Sequence, residues 1–142
     1  MPVLIINNEN HPQLAQILAR DGWVVACLCA AWCGSCQEYQ KNFTALAICH
    51  PEARFVWIDI EDQADLMDDL DVDNFPTLLI QRGKIVTFLG PVERDLRVAE
   101  RIFLAQYTQN LTDLAIEADS SPERRKWQIN GNLVSRLQKV AS

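Results

Sequence analysis

The chain has little positive charge and no long apolar run, and these two scarcities exclude several classes of protein. Its 142 residues contain 13 Lys and Arg against 19 Asp and Glu, for a net charge of −6. A protein whose main partner is a nucleic acid needs clustered Lys and Arg, so we expect no nucleic-acid partner. No apolar run approaches the roughly 20 residues of a membrane-spanning helix, so we expect no membrane partner.

The first ten residues also lack the features of an export signal. The segment MPVLIINNEN has no basic region, no apolar run of useful length and no small-residue cleavage site. We therefore expect a reducing, cytoplasmic location. In such a compartment five cysteines argue against permanent bridges and for thiols, a metal, or a disulfide that opens and closes.

Basic residues are missing from one acidic stretch in particular. No Lys or Arg lies between Asp59 and Asp73. We interpret the stretch as a solvated face, and the alternative is a surface that steers a basic partner. The acidic residues are Asp59, Glu61, Asp62, Asp65, Asp68, Asp69, Asp71 and Asp73.

Apolar runs and helical patterns alternate along the chain and predict a layered α/β domain. Two of the runs are apolar on both faces, as in the covered middle of a sheet. Strands are predicted at 3–6, 23–30 and 54–60, with a hairpin at 77–89 that turns near Gly83. Helices are predicted at 11–21, from Cys33 onward, at 63–70 and at 92–109.

Residues 111–142 differ from the rest in charge. They carry five Lys or Arg and four Asp or Glu, whereas residues 1–110 carry eight and fifteen. We predict an α/β domain over 1–110 and a C-terminal helical extension of one or two short helices over 111–142. Ser121-Pro122-Glu123 is a helix-start pattern within it. The extension either packs on the domain or serves as a partner-binding or dimerising arm.

Four of the five cysteines lie within residues 27–36, CLCAAWCGSC. Trp32-Cys33-Gly34-Ser35-Cys36 stands between a predicted strand and a helix whose apolar stripe runs through Cys36, Tyr39, Phe43 and Ala47. This spacing places Cys33 at the helix N-terminus, where unpaired N–H groups and the dipole favour a thiolate. Cys36 falls on the buried face. We predict that Cys33 is the nucleophile and Cys36 the resolving thiol of a dithiol–disulfide cycle.

Three segments together resemble the thioredoxin family over residues 3–109. They are Trp32-Cys33-Gly34-Ser35-Cys36 between strand and helix, Phe75-Pro76-Thr77 at the start of a later strand, and Gly83 and Gly90 in the final hairpin. The resemblance implies a thioredoxin fold, a central mixed β-sheet flanked by helices, here followed by the C-terminal extension. It also implies that Pro76 is a cis-proline facing the two cysteines.

The same resemblance implies a protein-disulfide reductase that acts on disulfide-containing client proteins. It implies no cofactor beyond a redox-active disulfide, Cys33–Cys36, and an NADPH-dependent thioredoxin reductase as electron donor. The Gly-Ser pair between the cysteines carries no charge that would make a strong oxidant. The residues expected to bind the client peptide are Trp32, Gly34, Ser35, Phe75, Pro76 and Thr77.

Several positions depart from the family pattern. Cys27 stands where the family usually has a buried carboxylate, so the usual proton acceptor is missing. Cys29 replaces an aromatic residue and Trp57 replaces a common Lys, which predicts a drier environment near the second active cysteine. Gln37 and Glu38 replace a common Lys, so we expect a less positive surface around the first active cysteine and a less acidic thiol there.

Cys27 and Cys29 share one face of their strand by the period of two, and they can come near Cys36. We interpret them as small buried hydrophobes. The alternatives are auxiliary redox thiols and metal ligands, although the spacings fit no common zinc pattern. Cys49 is interpreted as a helix-end residue.

Two other functions stay open at this point. The first is a thioredoxin-fold binding or chaperone-like module, in which the extension recruits a client and turnover is low. The second is a metal or iron–sulfur site.

Overall fold

A five-stranded mixed sheet forms the centre of the molecule. The structure, a computed structural model, describes residues 3–30, 32–68, 70, 72 and 74–141. The sheet has the order β1-β3-β2-β4-β5, in which β1, β3 and β2 are parallel and β4 and β5 are antiparallel to their neighbours. The strands are β1 (Leu4–Ile5), β2 (Trp23–Cys29), β3 (Ala53–Asp59), β4 (Thr77–Arg82) and β5 (Ile85–Pro91).

Helices cover both faces of this sheet. They are α1 (His11–Ala19), α2 (Gly34–Cys49), α3 (Leu96–Tyr107), α4 (Leu111–Ala118), α5 (Pro122–Asn130) and α6 (Leu133–Ala141). Asp95, Asn110 and Ser121 cap α3, α4 and α5 by accepting backbone N–H groups of the first turn. Within the described part of the chain, none of the helices is long and apolar enough to cross a membrane.

Strand β2 is buried along its whole length, as its two-sided apolar pattern predicts. Side chains alternate across a strand, so β2 divides the core into two clusters. Val25, Cys27 and Cys29 belong to the cluster that contains the buried faces of α2 and α3. Val24 and Leu28 belong to the cluster that contains residues of α1 and α6. Both strand cysteines therefore face α2.

The turn of the β4–β5 hairpin lies at Gly83, as predicted. Gly83 has φ +56, in the left-handed region that favours glycine. A Cβ at this position would lie 2.5 Å from Asp21 Oδ1. The hairpin therefore needs glycine here for both conformation and space.

The C-terminal extension packs on the sheet through three helices, one or two more than predicted. Gln81, fully buried in β4, donates from Nε2 to Asn132 Oδ1 at 2.9 Å and accepts from the Leu133 N–H at 2.8 Å. The Gln128 side chain bonds both backbone groups of Val86, at 2.8 and 2.7 Å. Leu133 and Leu137 are buried in the core. The packed arrangement is thus the one observed, while the domain boundary at residue 110 stays a prediction.

The helix predicted at 63–70 is not formed as a regular helix. Residues 60–68 make successive turns, with Gln63 N bonded to Asp59 O and Met67 N bonded to Gln63 O, both at 2.9 Å. Aspartate is a poor helix former, and Asp62, Asp65 and Asp68 would stack their like charges at every third position. Asp69, Asp71 and Asp73 of the acidic stretch lie outside the described residues.

Candidate functional site

Cys33 stands at the N-cap of α2, and Cys36 lies one turn into that helix. Cys33 has an extended backbone, φ −84 and ψ 113, and its carbonyl accepts from the N–H groups of Cys36 and Gln37 at 3.1 and 3.2 Å. Its side chain is partly exposed, whereas Cys36 is 1% exposed. The buried residues of α2 are Cys36, Tyr39, Phe43 and Ala47. The apolar stripe thus positions the two cysteines as the spacing predicts.

The surroundings of Cys33 favour its thiolate. Cys33 Sγ lies 3.1 Å from Ser35 Oγ. This hydrogen bond, followed by the bond from the Cys36 N–H, lowers the pKa of Cys33, and the partial burial of the thiol opposes them. The charge of Arg94 lowers the same pKa.

One positively charged side chain acts on Cys33, while the expectation of a surface less positive than is usual in the family stays a prediction. The replacement of a Lys by Gln37 and Glu38 predicted a less positive surface around Cys33. Arg94, in the exposed segment between β5 and α3, places a positive charge near that thiol. No local signal links two residues so far apart in the chain.

The disulfide in the structure joins Cys29 to Cys36, not Cys33 to Cys36. The predicted Cys33–Cys36 pairing is therefore corrected for this state of the molecule. Cys29 is the last residue of β2 and faces α2, and its Cα lies 5.9 Å from the Cα of Cys36, within the usual range for a disulfide. The interpretation of Cys29 as a small buried hydrophobe is wrong.

Cys27, Cys33 and Cys49 lie outside the disulfide. Cys27 is fully buried, its Sγ lies 3.9 Å from the Sγ of Cys29, and burial raises its pKa. Cys49 is exposed at the last position of α2. Among the residues that the structure describes, no group of three or more His, Cys, Asp or Glu side chains is arranged to hold a metal ion.

A carboxylate lies near the disulfide, although not at the position where the family usually has one. Asp59, the last residue of β3, is the register partner of Cys29 and lies on the same face of the sheet. A cavity of about 430 Å³ beside it is lined by Cys36, Trp57 and Asp59, among other residues. The sequence analysis placed Asp59 in the acidic stretch, but the alternation Phe55, Trp57, Asp59 along β3 was a signal that it faces the cysteines.

Two of the residues predicted to bind a client peptide, Trp32 and Phe75, contact each other, and Trp32 directly precedes Cys33 in the chain. Trp32 is 67% exposed, packs edge to face on Phe75 with ring centroids 5.8 Å apart, and donates from Nε1 to Glu61. The Phe75–Pro76 bond is cis, as the resemblance implied. Thr77 Oγ1 donates to Asn74 O at 2.6 Å.

Gly34 and Ser35 separate the two cysteines at the start of α2. A Cβ added to Gly34 would meet nothing within 4 Å. The rim beside Cys33 is therefore open there, and the cluster combines an accessible acidic thiol with a buried disulfide.

Comparison with known proteins identifies the family. A family model described as Thioredoxin matches residues 2–99. The mitochondrial thioredoxin-3 of Saccharomyces cerevisiae is 27% identical over 83 residues, which cover 58% of this chain and 64% of that protein. The putative thioredoxin 2 of Streptomyces coelicolor is 31% identical over 62 residues, which cover 44% of this chain and 46% of that protein. The chain thus spans between about half and two thirds of the length of these relatives.

The fold agrees with this assignment. The crystal structure of a wild-type thioredoxin h from poplar superposes with a TM-score of 0.65 at 21% identity, covering 78% of this chain and all of that one. Its similarity shows the fold alone. The family match extends over most of the chain and includes the whole cysteine cluster. The chain belongs to the thioredoxin family.

Proposed function

We propose that this protein is a thiol–disulfide oxidoreductase that reduces disulfides in client proteins. One observation carries the proposal: Cys33 stands at a helix N-cap with a lowered pKa, one turn before Cys36, which is itself able to enter a disulfide. An accessible thiolate next to a second, shielded thiol is the arrangement that disulfide exchange requires. Membership of the thioredoxin family supports the same activity.

The cycle begins with the reduced cysteines. The Cys33 thiolate attacks a client disulfide, forms a mixed disulfide and releases one client thiolate. Cys36 then attacks the Cys33 sulfur and releases the second client thiolate, which leaves a Cys33–Cys36 disulfide. Two electrons from an external dithiol donor restore the two thiols. By family resemblance we propose an NADPH-dependent thioredoxin reductase as this donor, and a reducing cytoplasm as the location.

Asp59 takes the role that the missing carboxylate has in the family. Cys36 must lose its proton before it attacks, and it is almost fully buried. The Asp59 carboxylate lines the same cavity as Cys36, and Asp59 belongs to β3, the strand next to β2. It is therefore the group placed to accept the proton as Cys36 becomes a nucleophile.

The client peptide is proposed to lie across Trp32, Gly34, Ser35, Phe75, Pro76 and Thr77. Trp32 offers an exposed apolar ring supported by Phe75. Gly34 leaves the approach to Cys33 open, because no atom lies within 4 Å of where its side chain would be. An extended peptide can thus bring its disulfide to the Cys33 thiolate.

Insulin reduction with dithiothreitol as electron source tests the proposed function. Wild-type protein is expected to accelerate insulin precipitation, and Cys33→Ser is expected to abolish the acceleration. Cys49→Ser is the matched control, because it removes an exposed cysteine from the far end of the same helix. Full activity of Cys33→Ser would show that Cys33 is not the nucleophile.

A second function, a client-binding module with little turnover, is favoured by one specific observation. While Cys36 is bonded to Cys29, it is not available to resolve a mixed disulfide at Cys33. Repeated turnover of insulin with dithiothreitol supports the reductase. Formation of a stable complex at Cys33 without turnover, under the same conditions, supports the binding module.

A further inference from the structure

We propose that Cys29 is a third redox residue, which replaces Cys33 as the disulfide partner of Cys36. The resulting Cys29–Cys36 disulfide lies in the core. The inference rests on the proposed function and extends it from two cysteines to three. Its basis is the observed connectivity: Cys36 is bonded to Cys29, while Cys33 is a thiol at the surface. Cys36 lies between a cysteine at the end of β2 and a cysteine at the N-cap of its own helix. Since one sulfur forms one disulfide, Cys36 has two alternative partners.

The exchange between the two pairings balances within the protein. The Cys29 thiolate attacks Sγ of Cys36 in the Cys33–Cys36 disulfide. The Cys29–Cys36 bond forms, the Cys33–Cys36 bond breaks, and Cys33 leaves as a thiolate. The proton of Cys29 goes to the carboxylate of its register partner Asp59. No electrons enter or leave, so the step needs no oxidant or reductant.

The surroundings of the two thiols set the direction of this exchange. Cys33 as a leaving thiolate is stabilised by Ser35 and by the Cys36 N–H. Cys29 is 1% exposed and lies within the apolar cluster between the sheet and α2, where a thiolate is poorly solvated. Exchange favours release of the better stabilised thiolate. The Cys29–Cys36 pairing is therefore the preferred oxidised form.

The consequence is a change in what the protein does with a client. With Cys36 free, a mixed disulfide at Cys33 is resolved and the client is released. With Cys36 held by Cys29, the Cys33 thiol still attacks a client disulfide, but Cys36 cannot resolve the product. The oxidised protein thus captures clients covalently, and reduction of the Cys29–Cys36 bond releases them.

Disulfide mapping of the full-length protein tests the inference. All proteins carry Cys49→Ser, are oxidised with glutathione disulfide, and are alkylated, digested without reduction and analysed by mass spectrometry. The wild-type cysteine cluster is expected to yield a Cys29–Cys36 linked peptide as its main internal disulfide. Cys33→Ser is expected to form the same bond, whereas Cys33→Ser combined with Cys29→Ala is expected to form none. Cys33→Ser combined with Cys27→Ala is the matched control and should keep the bond.

Two results would overturn the inference. The first is a protein with the cysteine cluster of residues 27–36 intact in which only Cys33–Cys36 is found, a measurement that depends on no substitution within that cluster. The second is a Cys33→Ser protein that keeps native circular dichroism but forms no internal disulfide. Insulin reduction separates this inference from the proposed function. A mapped Cys29–Cys36 bond without insulin reduction would contradict the reductase and support the third redox cysteine.

Discussion

At the residue scale, the chemistry of the site depends on the few groups that contact Cys33. Its Sγ lies 3.1 Å from Ser35 Oγ, and this contact is the largest cause of the lowered pKa. The sequence predicted the position of Cys33, because helix periodicity determines it. It did not reveal that the charge of Arg94, in a segment distant in the chain, also lowers this pKa.

Replacing Ser35 by Ala is expected to raise the pKa of Cys33. The thiolate loses its strongest hydrogen-bond partner, so alkylation by iodoacetamide should reach its half-maximal rate at a higher pH. The measurement uses a Cys49→Ser background, in which Cys33 is the accessible thiol. Thr44→Ala removes a hydroxyl from the same helix, where Thr44 bonds Gln40 O, and should leave the profile unchanged. Superimposed profiles for Ser35→Ala and the parent would contradict the role of Ser35.

Asp59→Asn is expected to slow insulin reduction by up to about 100-fold, the lower end of the range for general acid–base catalysis. Asn keeps the oxygen that accepts the N–H groups of Glu61 and Asp62, at 2.9 and 3.2 Å, so the turn after β3 is retained. Asp65→Asn removes an exposed carboxylate from the following turns and is the control. The rate at several pH values is the measurement. Equal rates for Asp59→Asn and the parent would exclude Asp59 as the proton acceptor.

At the element scale, α2 was predicted well and the segment before β4 was not. The stripe Cys36, Tyr39, Phe43, Ala47 is strongly periodic, and each of these residues is buried as predicted. Residues 63–70 have a weaker pattern and too many aspartates, and the structure has turns over 60–68. Where the apolar periodicity is weak, the low helix propensity of aspartate and the repulsion between like charges determine the conformation of the segment.

The end of α2 is joined to α3 by a histidine between two glutamates. His50 Nε2 bonds Glu100 at 2.6 Å and Nδ1 bonds Glu52 at 3.0 Å. Burial of the ring lowers the pKa of His50, but the bonds to Glu100 and Glu52 outweigh it, so the pKa is raised. Charged His50 therefore stabilises the fold below the unfolded-state pKa of about 6.5. This stabilisation is lost as the pH rises through the higher folded-state pKa.

Glu100→Gln is thus expected to destabilise the protein at acidic pH and to have less effect at alkaline pH. The free energy of unfolding in urea should fall by about 0.5 to 1 kcal/mol at about pH 5.5 and by less at about pH 9. Glu93→Gln, which removes an exposed glutamate before α3, is the control. A destabilisation that is the same at both pH values would contradict the charged His50–Glu100 pair.

At the scale of the whole molecule, the extension helps to build the core. Leu133 is fully buried in the core cluster that also contains Leu18 and Leu79. The charge balance of residues 111–142 distinguished them from the rest of the chain, and their pattern predicted helices. The sequence did not predict how these helices pack. That packing depends on Gln81, whose side chain bonds Asn132 and Leu133 from within the sheet. A polar residue in a strand gives no indication in sequence of the partner it will have.

Leu133→Ala is expected to lower the free energy of unfolding of the whole protein by about 2 to 5 kcal/mol, the usual cost of a cavity in a core. Urea unfolding followed by tryptophan fluorescence is the measurement. Leu111→Ala, at a position that is 37% exposed, should cost less than about 1 kcal/mol. A Leu133→Ala protein as stable as the parent would mean that the extension does not contribute to the core.

The fold, the positions of Cys33 and Cys36 at the start of α2 and the cis-proline could be predicted from sequence, because they depend on local patterns and family resemblance. Cys29, Asp59 and Arg94 were not, because their roles depend on which strand ends and segments meet in three dimensions. Cys29 and Asp59 come together through the parallel register of β2 and β3. That register follows from the packing of the whole sheet.

The most direct test of the account is to trap the first step of the reaction. Cys36→Ser protein, in a Cys49→Ser background, is mixed with insulin, and the products are analysed by intact-mass and peptide mass spectrometry. The account predicts a stoichiometric mixed disulfide between insulin and Cys33. The same adduct should not form when the protein also carries the Cys33→Ser substitution. The absence of an adduct, or an adduct at a different cysteine, would contradict Cys33 as the nucleophile.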